Sequence, residues 1–322
     1  MDALSDVLRV AHLTGGVFLN ARFSEPWCIS ARLTPELCGP GLGSASHLVP
    51  YHFVVEGELH AKIDGSEESV LLEPGEVVLF PHNDVHLLGS DLGLEPVTGS
   101  DLIKSPRDGE LLSIDHGGGG VSTRLVCGFL GCDTTADNPV VSSLPPTLKL
   151  NVEDGDAAEW IRSTFRYAAN EVAASRPGTG TVLAKLSELL FVEAVRRYAE
   201  TLPDDQTGWL AGLHDRYVSR VLTLFHRDAT RSWTMESLSR EVGLSRSALA
   251  ERFSRLLGVA PMQYLGNWRM QLAAEQLRNS SASLATIANS VGYESDAAFS
   301  RAFKRAFGSA PATWRRSHDA AS

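Results

Sequence analysis

The side chains best suited to chemistry in the first half of this sequence are two histidines and a glutamate. His52 and Glu56 stand four positions apart, and His86 follows a pair formed by Gly75 and Pro81 with five residues between them. Two imidazoles and a carboxylate can hold a catalytic metal when one coordination position stays open. The alternative is that Glu56 caps a turn and that both histidines are ordinary strand residues.

Thiols are the second reactive group. Cys127 and Cys132 lie five residues apart at the end of a predicted strand, and Cys28 lies on another. A thiol is reactive when it is exposed and has a lowered pKa, whereas a buried free cysteine is commonly only a small hydrophobic side chain. Redox sensing by Cys28, Cys127 or Cys132 is one expectation, and simple packing is the other.

The third group is one face of a short helix predicted near the C-terminus. Ser295 is a good N-cap and Gly308 a natural end, and a phenylalanine at every fourth position gives the helix one apolar stripe. The other face carries small, polar and basic side chains, which suit the major groove of DNA. These side chains are Asp296, Ala297, Ser300, Arg301, Lys304 and Arg305.

The same pattern occurs earlier in the chain. Phe253 corresponds to Phe303, and Gly258 corresponds to Gly308. Each copy follows a short predicted helix, so both are expected to form helix-turn-helix units. Residues 261–278 begin with a proline and continue with good helix formers, which predicts a rigid connecting helix between the copies.

The two units and their connector resemble the AraC/XylS family of transcription regulators. The resemblance covers about residues 213–318 and includes the closing Pro311, Trp314 and Arg315. It implies that Arg246–Leu257 and Asp296–Phe307 are recognition helices, which would enter successive major grooves roughly one turn (~34 Å) apart.

Within this resemblance we expect each recognition helix to contact bases through four of its side chains. The expected base contacts are Arg246, Ser247, Ala250 and Arg252 in the first helix and Asp296, Ala297, Ser300 and Arg301 in the second. Lys304 and Arg305 are expected on phosphate, where contacts position without specifying sequence. Glu251 departs from the family, whose members usually carry a neutral or basic side chain near that position.

The charge of the chain is divided unevenly between its two parts. The whole chain has a net charge of −10, but residues 207–322 hold 15 Lys and Arg against 9 Asp and Glu. This asymmetry is expected when only the C-terminal part meets phosphate. Apolar runs are far shorter than the ~20 residues of a membrane span. We therefore expect a cytoplasmic bacterial protein with reduced cysteines, associated with the nucleoid and not with a membrane.

Residues 1–150 contain many short apolar or alternating runs separated by turn signals, which favours a β-barrel or sandwich. The stretches HFVVEGELHAKIDG and LEPGEVVLFPHNDVH resemble the cupin domain found upstream of some AraC-type regulators. Pro50 stands where the first cupin motif has a histidine, so we predict no metal and no cofactor. We expect a small-molecule pocket lined by His52, Glu56, His86, Trp27 and Tyr51. The resemblance also implies oxidant sensing through thiols, as thought for some relatives.

The predicted fold is therefore two-domain: a cupin-like barrel or sandwich with added helices, followed by an all-α double helix-turn-helix. We assign residues 1–150 to the sensor and 151–202 to a helical dimerisation or packing segment with runs over Asp156–Ala174 and Thr181–Ala199. Residues 203–212 are the expected linker, and residues 213–318 are the DNA-binding domain.

These expectations describe a sequence-specific DNA-binding transcription regulator that responds to a small molecule or an oxidant of unknown identity. It is expected to act as a homodimer on double-stranded promoter DNA, together with RNA polymerase. We do not expect an enzyme. The alternative is a metal-dependent cupin enzyme of the oxygenase or isomerase type, fused to a DNA-binding module.

Overall fold

The computed structural model describes residues 2–10, 13–38, 47–104, 112–132, 138–150, 163, 167, 178–203 and 205–319. The chain divides into two compact units. Unit 1 contains Met1–His12, Thr134–Ser143 and Ala199–Ser322, and unit 2 contains Leu13–Asp133 and Leu144–Tyr198. Apart from residues 163 and 167, the helix expected over Asp156–Ala174 lies outside the described residues.

Unit 2 is built from two β-sheets. In chain order its described strands are β1 (Thr14–Ser24), β2 (Cys28–Ala31), β3 (His47–Glu56), β4 (Leu59–Ile63), β5 (Val70–Leu72), β6 (Val77–Leu79), β7 (His86–Gly89), β8 (Val97–Thr98), β9 (Leu112–Gly117), β10 (Ser122–Cys132) and β11 (Leu148–Leu150). One sheet has the order β11-β6-β3-β10-β1-β9, and the other has the order β5-β4-β7-β2-β8.

The two sheets share one hydrophobic core. Phe23 of β1, Val54 of β3 and Leu125 of β10 come from the first sheet, and Leu59 of β4 and Leu88 of β7 come from the second. This arrangement confirms the sheet-rich, cupin-like fold predicted for the N-terminal part. The sequence did not predict β7, because all four of its residues are buried and it shows no alternation.

Two helices belong to the sequence around these sheets: α2 (Pro35–Cys38) and α4 (Thr179–Thr201). The helix predicted over Thr181–Ala199 is therefore confirmed as α4. It approaches β1 closely at Gly15, where an added Cβ would lie 2.5 Å from the Ala184 carbonyl oxygen. Only glycine fits this contact without displacing the helix backbone.

Unit 1 is helical within the described residues. Its helices are α1 (Ala3–Val10), α3 (Pro139–Ser142), α5 (Trp209–His214), α6 (Val218–Arg227), α7 (Met235–Val242), α8 (Arg246–Leu257), α9 (Pro261–Asn279), α10 (Leu284–Ser290), α11 (Asp296–Phe307) and α12 (Pro311–Asp319). None of the described helices is long and apolar enough to cross a membrane.

Residues 213–226 do not form one continuous helix, because the chain breaks there between α5 and α6. The Asp215 carboxylate accepts hydrogen bonds of 3.0 Å from the backbone N–H groups of Tyr217 and Val218. A side-chain acceptor at this position caps a new helix start. The first of the two helices, α5, begins at Trp209, inside the segment 203–212 for which a linker is expected.

Two segments that precede residue 150, Met1–His12 and Thr134–Ser143, belong to unit 1. Helix α1 packs on α3, α6 and α9. The Arg9 Nη1 atom donates to Glu275 Oε1 of α9 at 2.6 Å. The chain therefore passes repeatedly between the two units, and it does so directly before β1 and directly after β10.

Candidate nucleic-acid interface and ligand cavity

The first candidate recognition helix, α8, has the bounds predicted from the sequence. The Ser245 hydroxyl accepts from the backbone N–H of Ala248 at 3.2 Å, and Gly258 ends the helix with a φ of +73°. Leu249 and Phe253 are buried under the helix. Of the predicted base-contact residues, Arg246 and Ser247 are exposed, and Ala250 is half-buried.

The second candidate recognition helix, α11, also has the predicted bounds. Ser295 caps its start and Gly308 ends it with a φ of +74°. Phe299 and Phe303 are fully buried in a core that includes Trp314. The opposite face exposes Asp296, Ala297, Arg301, Lys304 and Arg305, with Ser300 half-buried.

Within unit 1, one helix joins the two helix-turn-helix motifs. Helix α9 has 19 residues, so it is about 28 Å long at 1.5 Å per residue. It packs against α8, which precedes it in the chain, and against α10, α11 and α12, which follow it. The two candidate recognition helices therefore pack against one common helix of nearly the length of one DNA turn.

Arg252 is the predicted base-contact residue that the structure places differently. Its Nη2 and Nε atoms each lie 2.6 Å from Asp215 Oδ2, and its guanidinium lies 5.3 Å from the centre of the Tyr217 ring. The side chain is thus tied to the loop between α5 and α6. We expect the main role of Arg252 to be positioning α8, and base contact to be secondary.

Arg269 and Arg315, for which the sequence predicts no DNA contact, bind backbone carbonyl groups. The Arg269 Nε atom donates to the Ala229 carbonyl at 2.7 Å, and its Nη2 atom donates to the Arg231 carbonyl at 3.0 Å. Arg315 donates to the carbonyl of Ala282 at 2.7 Å. No local sequence pattern indicates these partners, because they lie more than 30 positions away.

Replacing Asp215 by Asn is expected to lower the free energy of unfolding by about 1 kcal/mol at neutral pH, because the pair with Arg252 is partly exposed and screened by water. Asparagine keeps a cap oxygen for Tyr217 and Val218, so the substitution isolates the ion pair. Thermal unfolding followed by circular dichroism measures the difference.

The pH dependence of that difference has a defined sign. Burial raises the pKa of Asp215, but hydrogen bonds from Arg252, Val218 and Tyr217 outweigh burial and leave the pKa lowered from 3.8. A lowered folded pKa stabilises the fold above the unfolded value and loses that contribution as pH falls through the folded value. The two proteins should therefore converge below pH 3.8; a constant difference at all pH values would contradict the pairing.

Unit 2 contains a cavity of about 330 Å³. Its described wall is mainly apolar and includes Leu19, Ala21, Phe23, Ile29, Leu33, Leu88, Ile103, Ile114 and Leu125. Some residues of its wall are exposed, among them Arg32, Thr34 and Ser100. Others are buried, and the polar ones among them, His52, His86 and Cys127, form what we call the closed end of the cavity.

The three buried polar side chains form one hydrogen-bonded row. The His86 Nδ1 atom lies 2.9 Å from the Asp84 carbonyl oxygen, which can only accept, so Nδ1 carries the proton. His86 Nε2 then accepts from His52 Nε2 at 2.9 Å. His52 Nδ1 is left as an acceptor for the Cys127 thiol, whose Sγ lies 3.0 Å away. The neutral forms thus fix every proton in the row.

Burial keeps this row neutral. It lowers the pKa of His86 to about 4, and together with the nearby His86 it lowers the pKa of His52 well below 6.5. It also raises the pKa of the Cys127 thiol to about 12. The closed end of the cavity is therefore uncharged at neutral pH, which suits an apolar occupant.

The other predicted pocket residues lie elsewhere. Glu56 has a 67% exposed side chain and its Oε1 atom is 3.3 Å from Arg124 Nη2. Tyr51 is buried, but its hydroxyl lies 2.6 Å from Ser187 Oγ of α4. Trp27 stacks on Phe23 with ring centres 4.1 Å apart, and the described cavity wall does not include it.

The residues present do not fit the metal of metal-binding cupins. His52 and His86 use their facing nitrogens to bond each other, and Glu56 points to solvent and to Arg124. Among the described residues there is no group of three His, Cys, Asp or Glu side chains placed to hold a metal ion. No catalytic step through a metal can be derived from this arrangement.

Cys28, Cys127 and Cys132 are not in disulfides, and all three are buried. Cys127 and Cys132 are five residues apart on β10, so their side chains project to opposite faces of the sheet. Cys28 lies on β2, where burial raises its pKa. The structure therefore does not bring the candidate redox residues together, and it connects one of them, Cys127, to the cavity.

Comparison with known proteins agrees with both halves of the fold. Residues 2–200 match the Cupin_6 family, described as a cupin, and residues 238–317 match the HTH_18 family, described as a helix-turn-helix domain. An AraC-like transcription regulator of Streptomyces lividans is 32% identical, and the match covers 98% of each chain.

Two further relatives also match over nearly their whole length. The HTH-type transcriptional regulator AlkR of Acinetobacter baylyi is 28% identical, covering 98% of this chain and 99% of its own. The RCS-specific HTH-type transcriptional activator RclR of Escherichia coli is 27% identical, covering 98% and 97%. The chain therefore belongs to the AraC-like family of transcription regulators that join a cupin domain to a helix-turn-helix domain.

Proposed function

We propose that this regulator recognises promoter DNA by placing α8 and α11 in successive major grooves. The observation that carries the proposal is the pair of equally long, similarly capped helices, each burying an apolar stripe and exposing small and basic side chains. Their common attachment to α9 supports a separation close to one turn of DNA.

Some side chains would then contact base edges, and others would bind the DNA backbone. Arg246, Ser247, Ala250, Asp296, Ala297, Ser300 and Arg301 would face base edges, with Arg252 held nearby by Asp215. Lys304 and Arg305 lie in the last turn of α11 and would contact phosphate.

Replacing Arg301 by Ala is expected to weaken binding about 5- to 150-fold, because a guanidinium on guanine contributes roughly 1–3 kcal/mol. Arg246→Ala should act similarly. Fluorescence anisotropy on a duplex enriched from a random pool measures both, and Arg316→Ala, an exposed arginine on α12, is the matched control. Equal losses for Arg316→Ala and Arg301→Ala would indicate charge alone and contradict base reading.

The cavity of unit 2 supports a second part of the proposal, namely that a small apolar molecule is the signal. Its volume and mainly apolar wall fit such a molecule, and its closed end is a neutral row whose groups already bond one another. A charged ligand would find no free partner at that closed end.

The course of the chain provides a route for coupling. Strands β1 and β10 line the cavity through Ala21 and Cys127, and their ends pair at Thr14 and Gly131. The chain leads from these paired ends to α1 and α3, which contact each other in unit 1. A ligand that binds one arrangement of β1 and β10 better would shift the population of DNA-binding states.

We retain the remaining assignments as parts of the proposal. They are a sensor over 1–150, a dimerisation segment over 151–202, a linker over 203–212 and a DNA-binding domain over 213–318, acting in the cytoplasm without catalysis and with RNA polymerase. Leu189 on α4 is 49% exposed and supports a homodimer through this helix. Light scattering on Leu189→Glu should then report a monomer.

A further inference from the structure

The closed end of the cavity combines a nucleophile with an acceptor for its proton. The sulfur of Cys127 lies 3.0 Å from His52 Nδ1, an acceptor in the proton arrangement fixed by the Asp84 carbonyl. His52 in turn can pass its Nε2 proton to His86 at 2.9 Å. A proton can thus leave the sulfur without water entering the apolar cavity.

The cavity also decides which electrophiles reach that sulfur. The wall of the cavity is mainly apolar, and both histidines at its closed end are neutral and mutually bonded. A small, uncharged, largely hydrocarbon electrophile is therefore favoured over a charged one.

We propose that Cys127 captures a small apolar α,β-unsaturated carbonyl compound by adding its thiol across the activated double bond. This inference rests on the proposed function of the cavity as the ligand site. The sulfur forms a bond to the β-carbon, the carbon–carbon π bond breaks, and the thiol proton passes to His52. The α-carbon then takes up a proton from the histidine row, so that S–H has added across C=C without an oxidant or reductant.

The resting state explains why this reaction would be selective. Because burial raises the pKa of Cys127 to about 12, the sulfur remains a thiol in the absence of a bound compound. Its proton leaves only as the new C–S bond forms, with His52 in contact to accept it. Cys28 provides a comparison within the chain, since it is similarly buried but is absent from the described cavity wall.

The test uses the full chain with 2-cyclohexen-1-one, and with cyclohexanone as the unreactive partner of matched shape. Peptide mapping by mass spectrometry gives the rate of adduct formation at each cysteine. We expect Cys127 to react at least about tenfold faster than Cys28 and Cys132, and His52→Gln to slow Cys127 by at least about tenfold. Cyclohexanone should slow the reaction by competition.

Faster reaction at Cys28 or Cys132, or an unchanged Cys127 rate in His52→Gln, would overturn the inference. If His52→Gln does not fold, the comparison of cysteines within the unaltered chain decides alone. The melting temperature of the chain with cyclohexanone tests ligand binding in the cavity separately from the covalent step at Cys127. A higher melting temperature with cyclohexanone but no Cys127 adduct with cyclohexenone would support the cavity as a ligand site and overturn the covalent step. If the melting temperature does not rise and no adduct forms, both the ligand site and the covalent step are contradicted.

Discussion

Replacing Phe303 by alanine is expected to lower the stability of the second helix-turn-helix unit by about 3–5 kcal/mol, because it removes a fully buried aromatic ring. Phe303 is 0% exposed. Its ring centre lies 5.8 Å from Phe299, 4.5 Å from Phe307 and 5.8 Å from Trp314. The substitution leaves a cavity between α11 and α12 and removes the contacts that hold the recognition helix.

Hydrogen exchange detected by mass spectrometry can localise this loss. Peptides covering Asp296–Phe307 should exchange much faster in Phe303→Ala, while peptides of β3 and β10 should exchange at the same rate. Phe307→Ala is the matched control, since Phe307 is only partly buried at the edge of the same cluster. Equal effects of the two substitutions would mean that burial of Phe303 does not hold α11 in place.

Acidification is expected to destabilise unit 1 through His226. Trp209 Nε1 donates to the Tyr264 hydroxyl at 2.8 Å, and the oxygen of that hydroxyl lies 2.9 Å from His226 Nε2. The imidazole also lies against Trp268 with ring centres 4.2 Å apart. Burial lowers the pKa of His226 to about 4, so the imidazole is neutral at neutral pH.

The sign and size of the effect follow from this shift. Since the folded pKa lies below the unfolded value of 6.5, the unfolded chain binds more protons between these two values. The contribution of neutral His226 to the free energy of unfolding is fully present above the unfolded pKa. It is lost as pH falls towards 4, and the loss is about 3 kcal/mol at 1.36 kcal/mol per pKa unit.

Denaturant unfolding from pH 7 to pH 4 of the unaltered chain and of His226→Gln provides the measurement. Glutamine does not titrate, so the unaltered chain should lose about 3 kcal/mol more than the variant over this range. The buried histidines of unit 2 are present in both proteins, and their contribution cancels in the comparison. Parallel stability profiles would contradict a buried neutral His226.

Local sequence signals predicted the recognition helices well. The caps Ser295 and Gly308 act within a few residues of themselves, and the aromatic repeat of α11 is visible without any tertiary information. The same holds for Ser245 and Gly258 at the ends of α8. Both helices accordingly have the bounds expected from the sequence.

The cavity residues were predicted less completely, because they depend on strand register. Tyr51 and His52 are neighbours on β3, so they point to opposite faces, one to α4 and the other to the cavity. That alternation was available in the sequence and excludes a pocket lined by both. The pairing of His52 with Cys127 was not available, since it requires the register of β3 against β10.

Long-range ion pairs were also beyond the sequence signal. Arg252 was expected to contact a base because of its place on the helix, but its partner Asp215 lies 37 positions earlier. Likewise, nothing local to His226 indicates that Tyr264 and Trp209 will order it. Such contacts form only after the helices pack.

The most direct test of DNA recognition by two helices is selection of bound duplexes from a random-sequence pool by the purified full chain. A two-part site is expected, with its parts about 10–10.5 base pairs apart. Arg246→Ala should lose the preference in one part and Arg301→Ala in the other. Enrichment of a single undivided motif, or loss of the same positions in both variants, would contradict the account.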